Sequence, residues 1–220
     1  MLDLFLPQRC LVCAVPGEQV CLGCTEALRR IAPPWCERCG APTAWPVRRC
    51  LECSGRRLAF ASARAAVEYN APVRRIVAAW KERGLRRLAR WAAVVMADFV
   101  PRPDARVITF VPADPDRRLK RGYHAAEQLA HELADVWDLD HRPLLVRARG
   151  SPRQRELTRA ERRRNVASAF ACRGPVPAQV ILVDDVYTTG ATVNAAASAL
   201  RKGGARHVAV VTFARTIRIR

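Results

Sequence analysis

The chain has 220 residues, half of them apolar and about a quarter charged, enough for one sizeable core with a small appendage. No apolar run reaches the roughly 18 residues of a membrane span, and the opening "MLDLFLPQRC" lacks a basic lead, so a cytoplasmic protein without membrane insertion is expected. The net charge of +18 is nearly all arginine, which either favours polyanions such as nucleic acid and phosphorylated metabolites or reflects arginine-rich coding.

Eight of the nine cysteines fall in the first 53 residues as four CxxC pairs. Each pair sets two sulfurs on one tight knuckle, and two knuckles supply the four thiolates of a tetrahedral zinc site. "CLVC…CLGC" closes a loop of seven residues, "CERC…CLEC" one of ten, and eleven residues separate the two units. Sequential ligation is expected, with Cys10, Cys13, Cys21 and Cys24 on one zinc ion and Cys36, Cys39, Cys50 and Cys53 on the other. Interleaved ligation is the alternative. Closed four-thiolate sites are structural rather than catalytic. Trp35 and Trp45 in this segment either pack against the knuckles, which so small a core favours, or stack on bases. Cys172 stands alone and reads as an ordinary thiol.

The composition changes after "SGRRLAF". "ARAAVEYN" reads as a strand. "APVRRIVAAWKERGLRRLARWAAVVMADFV" reads as two helices, with Pro72 in a first turn and Gly84 at the break. Ile76, Val77, Trp80, Leu88, Trp91 and Val95 recur at the helical period and mark a core face. "ARVITFVPA" is a strand, "HAAEQLAHELADVW" a helix that His124 opens, and "RPLLVRA" a short strand. An arginine-laden loop or short helix, "GSPRQRELTRAERRRNV", precedes the strand "PAQVILVDDV", the helix "NAAASALRKGG" and the strand "ARHVAVVTFAR". Strands alternating with helices predict an α/β fold, a parallel sheet flanked by helices with ligands at the carboxyl ends of its strands.

Asp184 and Asp185 end an otherwise apolar strand. Adjacent carboxylates there repel unless hydroxyls or a cation use them. "YTTGAT" then offers consecutive backbone amides, the hydroxyls of Thr188, Thr189 and Thr192, and a helix start near Ala191, with Gly190 permitting close approach. The set suits vicinal hydroxyls on one side and a monophosphate on the other, as in a ribose 5-phosphate. Neither GxxxxGK[ST] nor GxGxxG is present in this stretch.

At these residues the chain resembles the type I phosphoribosyltransferases, whose signature is an apolar run, two acids and a TG-containing phosphate loop. The resemblance implies that Asp184 and Asp185 hold the ribose hydroxyls of phosphoribosyl pyrophosphate (PRPP) as the catalytic pair. It makes Thr188, Thr189, Gly190, Ala191 and Thr192 the 5-phosphate cradle, and has Mg²⁺ bridge the pyrophosphate. "FVPADPDRRLKRGYHAAEQLA" has the form of that family's pyrophosphate loop, with Arg117, Arg118, Lys120 and Arg121 as candidate clamps. Its Asp114 and Asp116 depart from the usual proline-and-leucine form. Thr188 stands where hypoxanthine-type members carry an aspartate, which disfavours that purine-salvage chemistry.

"RQRELTRAERRRNVASAF" and "AAWKERGLRRLA", with Lys81, are similar to the hood of the ComF competence family. That family also sets a cysteine-rich module before a phosphoribosyltransferase domain. The resemblance implies a double zinc ribbon over residues 1–58, a phosphoribosyltransferase-type fold over residues 59–220, and a part in handling incoming single-stranded DNA, directly or with an uptake helicase. Two functions follow from it: phosphoribosyl transfer to an acceptor base, or PRPP sensing without turnover.

Overall fold

The apolar runs become the strands of one parallel sheet in the computed structural model, which describes residues 8–113, 123–147 and 169–217. Its strands are β1 (Ser62–Glu68), β2 (Val107–Phe110), β3 (Asp140–His141), β6 (Gln179–Tyr187) and β7 (His207–Arg215), in the spatial order β1-β7-β6-β2-β3. β6 and β7 run in register from Gln179 opposite His207 to Tyr187 opposite Arg215. A strand covered on both faces has no polar side to show, and all four of Val180, Ile181, Leu182 and Val183 are buried.

Helices α2 (Ala71–Arg83), α3 (Arg87–Phe99) and α4 (Ala125–Trp137) cover one face, and α5 (Ala191–Lys202) the other. The first two form as expected. The Asn70 side chain accepts from the Val73 amide, Pro72 sits in the first turn, and Gly84 ends α2 at φ 68°. Of the expected core face, Ile76, Val77, Trp80, Leu88 and Val95 are buried. Trp91 packs edge-on against Phe213 at 5.5 Å and donates its indole N–H to Thr25 Oγ1 at 3.1 Å.

Three strands differ from the sequence reading, and two of them, β5 (Phe170–Cys172) and β3, are not predicted by it. The "RPLLVRA" strand, β4 (Leu145–Arg147), does not join the parallel sheet but pairs antiparallel with β5. Both strands are three residues long, too short to show a period. β3, two residues long, is the other unannounced strand.

The cysteine-rich segment holds a five-residue helix, α1 (Leu22–Glu26), and otherwise tight knuckles. It lies along the outer edge of β1. Ile31 donates its amide to Ala66 O at 3.0 Å, Glu68 to Arg29 O at 2.8 Å and Ala63 to Arg38 O at 3.0 Å. An open sheet edge is thereby covered. The approach is close: a Cβ on Gly40 would lie 2.2 Å from Ala63 O. Among the described residues no helix is long and apolar enough to cross a membrane.

Candidate ligand site and zinc centres

β2 is followed by α4 and leads away to β3, while β6 is followed by α5 and leads the other way to β7. Right-handed crossovers running in opposite directions put α4 and α5 on opposite faces and open a crevice between the carboxyl ends of β2 and β6. A cavity of about 480 Å³ occupies that crevice. Val111, Pro112 and Ala113 line it just beyond β2, Asp184 and Asp185 from β6, Thr188 from the turn after β6, and Thr192 from α5.

The two acids share the cavity because they straddle the strand. Ile181 and Val183 pack toward α2, α3 and α4, whereas Val180 and Leu182 pack toward α5. Alternation continues that pattern, so Asp185 reaches toward α2 and Asp184 toward α5. On α2 stands Lys81, whose Nζ is 2.5 Å from Asp185 Oδ2. Asp184 accepts the Asp185 backbone N–H at 3.0 Å. Burial first, and then the Asp185 carboxylate, raise the Asp184 pKa to about 8, against the pull of Lys81.

Beyond Tyr187 the chain turns at Gly190, which has φ 73° and caps α5. A side chain there would be strained, and its Cβ would lie 2.2 Å from Tyr187 Oη. Thr189 Oγ1 accepts the Ala191 amide at 3.3 Å, and Thr188 and Thr189 are exposed. The five residues of the expected phosphate cradle therefore lie together at one helix N-terminus, beside the acids. His124 caps α4, its Nδ1 accepting the Glu127 amide at 3.1 Å. The expected clamps Arg117, Arg118, Lys120 and Arg121 fall outside the described residues, as does the arginine-laden stretch from Arg153 to Arg164.

Tyr69, Tyr123 and Arg147 also line the cavity, and sequence reasoning singled out none of them. Tyr69 follows β1 at the same end of the sheet as Asp184, a position that strand order alone discloses.

The cysteines gather sequentially. Cys10, Cys13, Cys21 and Cys24 form one group and Cys36, Cys39, Cys50 and Cys53 the other, each with its sulfurs within 4.8 Å of one another. Sulfurs around a tetrahedral zinc, with bonds of about 2.3 Å, sit about 3.8 Å apart. Cys13 and Cys21 are 3.6 Å apart, Cys36 and Cys53 3.6 Å, and Cys39 and Cys50 3.5 Å, so both groups fit structural zinc. Burial disfavours the Cys36 thiolate, but the amides of Cys39, Cys50 and Arg38 outweigh it and lower the pKa to about 7. Trp35 lies under the Arg64 guanidinium at 4.9 Å, while Trp45 stays 68 % exposed rather than packing on the knuckle. Cys172 donates to Ala199 O at 3.3 Å, and burial raises its pKa.

The second zinc group is tied to the sheet through Arg215, the last residue of β7. Its guanidinium donates to Cys39 O at 2.7 Å and to Glu52 Oε2 at 2.8 Å, and lies 4.3 Å over the Tyr187 ring. No sequence signal marks this arginine among so many.

Fold and site together define an α/β protein with a crevice at the switch point of its sheet and two four-cysteine groups suited to structural zinc. Residues 1–56 match the double zinc ribbon domain family. Over most of its length the chain is similar to competence and DNA-utilization proteins. It is 28 % identical to the DNA utilization protein YhgH of Salmonella typhi, over 97 % of this chain and 100 % of that one. It is 28 % identical to Competence protein F of Haemophilus influenzae, over 96 % and 98 % of the two chains. It is 28 % identical to Competence protein ComFC of Bacillus subtilis, over 94 % and 89 %. These ComF-type proteins are thus homologues of the chain over most of its length. A solved allosteric regulatory enzyme of purine biosynthesis overlaps 56 % of this chain and 25 % of its own, with a TM-score of 0.41 and 24 % identity.

Proposed function

We propose that the chain binds PRPP with Mg²⁺ in the cavity between β2 and β6, as a phosphoribosyltransferase-type domain over residues 59–220 behind a zinc module over residues 1–58. The observation that carries the reading is the pairing of Asp184 and Asp185 with the 188–192 turn around one cavity. The acids accept the two ribose hydroxyls, and the loop amides and threonine hydroxyls hold the 5-phosphate. Lys81 gives up Asp185 as the sugar enters. Arg117, Arg118, Lys120 and Arg121 clamp the pyrophosphate. Mg²⁺ bound together with PRPP would supply charge neutralisation for the departing pyrophosphate. Transfer to an acceptor base then rests on positioning and electrostatics, with the acceptor approaching C1 opposite pyrophosphate. In the cell this activity serves DNA uptake and natural transformation, a reading supported by relatives named competence protein and DNA utilization protein.

The test is calorimetry of Mg²⁺ and PRPP with the wild type and with Asp184→Asn/Asp185→Asn, followed by pyrophosphate release over a panel of bases. Binding lost in the variant supports the site, and release with any base makes the protein an enzyme. Saturable binding without release makes it a PRPP sensor.

One observation favours a second role. Trp45 is 68 % exposed three residues before Arg48 and Arg49. An open indole beside arginines suits an adaptor for single-stranded DNA or for an uptake helicase. Trp45→Ala in a salt-series gel shift with single-stranded DNA tests it; an unchanged shift removes the indole from that role.

A further inference from the structure

Arg56 lies three residues after Cys53, its amide donating to Cys53 O at 3.2 Å, so the second zinc knuckle fixes where it starts. Its guanidinium crosses to the other part of the molecule and donates to Thr189 O at 2.8 Å. Next to it, the Asn194 side chain on α5 accepts the Ala59 amide at 2.7 Å and donates to Arg57 O at 3.3 Å. The segment leaving the knuckle is thus bonded on one side to the turn that opens α5 and on the other to the helix itself.

We propose that Arg56 is a positioning residue of the phosphate loop, and that the second zinc knuckle is thereby part of the ligand site rather than an appendage to it. The inference rests on the PRPP reading above. A trans peptide points its C=O and N–H in opposite directions. Holding Thr189 O toward Arg56 therefore turns the Gly190 N–H away from the zinc module and fixes that donor for an anion. The loop's other ties do not fix this carbonyl: Thr189 Oγ1 accepts the Ala191 amide and Gly190 O accepts the Asn194 amide. Thr188 and Thr189 are exposed, and Gly190 carries no side chain to lock its peptide. Without the arginine the Thr189–Gly190 peptide loses this tie, and an anion has to hold it on binding.

Arg9 provides a matched control, since it donates to Ala14 O at 3.1 Å inside the first knuckle, far along the chain from the loop. The experiment is calorimetry on the full-length, zinc-loaded chain with three probes: ribose 5-phosphate, Mg²⁺ with PRPP, and pyrophosphate alone. Arg56→Ala weakens ribose 5-phosphate about tenfold, the loss of one charge-assisted hydrogen bond's ordering. Arg56→Lys, which can still donate to the carbonyl, recovers part of it. Pyrophosphate alone, which does not use this loop, binds Arg56→Ala as it binds the wild type, and Arg9→Ala binds all three probes normally. Undiminished ribose 5-phosphate binding by Arg56→Ala overturns the inference, as does an equal loss for pyrophosphate or for Arg9→Ala, which reports general damage. A wild type that binds none of the probes overturns the PRPP reading and this inference together.

Discussion

Replacing Arg215 by Met tests how the second zinc group is joined to the sheet. The guanidinium is buried, 2 % exposed, against a Glu52 side chain that is 16 % exposed. It satisfies Glu52 Oε2 at 2.8 Å and Cys39 O at 2.7 Å. Burial alone would lower the Arg215 pKa, and the Glu52 carboxylate turns the net shift upward. Methionine keeps much of the apolar stem over Tyr187 but strands a carboxylate and a carbonyl. Breaking a buried pair from one side costs about 3–5 kcal/mol, and the slight exposure of Glu52 points to the lower end, about 3 kcal/mol. Adding Glu52→Gln removes the stranded charge and should return roughly half of that. Urea unfolding of the zinc-saturated chain, followed by tryptophan fluorescence, measures both variants. A cost under about 1 kcal/mol for Arg215→Met, or no recovery in the double variant, would refute the reasoning.

Gly190→Ala should destabilise by at least about 2 kcal/mol and abolish ribose 5-phosphate binding, because a Cβ at φ 73° meets Tyr187. Adding Tyr187→Phe should not rescue it, since the ring carbon Cζ stays 2.4 Å from that Cβ; recovered unfolding stability would contradict the packing. Asp184 with a folded pKa near 8 holds its proton where the unfolded chain has lost it. Its contribution therefore grows as pH falls from about 8 toward about 4 and disappears above the folded pKa. Carboxyl carbon NMR should place the Asp184 midpoint far above 4 and higher still in Lys81→Met, and a wild-type midpoint near 4 would dismiss the coupled pair. Cys13→Ser should drop bound zinc from two ions per chain to one while far-ultraviolet dichroism keeps the sheet signal. Loss of both ions would argue against independent sites.

Much of this architecture was legible because single residues carried strong local constraints. Four CxxC spacings dictated two thiolate groups, and Asn70, Pro72 and Gly84 bounded α2. Asp184 and Asp185, acids directly after the buried apolar run of β6, announced the cavity. What stayed hidden depended on tertiary neighbours. Lys81 lies more than a hundred positions from Asp185, and only the packing of α2 on β6 joins them. Arg56 and Arg215 are two arginines in a chain of many, and their long reach to Thr189 and Cys39 leaves no periodic trace. Tyr69 enters the cavity because β1 lies beside β7, a matter of sheet order. Strands as short as β4 and β5 lack the length to show alternation.

A crystal structure of the zinc-loaded chain with PRPP and Mg²⁺ tests the central claim most directly. The account predicts ribose hydroxyls within hydrogen-bond distance of Asp184 and Asp185, the 5-phosphate on the amides between Thr188 and Thr192, and Lys81 displaced from Asp185. Density for the sugar phosphate elsewhere, with Lys81 still on Asp185, would contradict it.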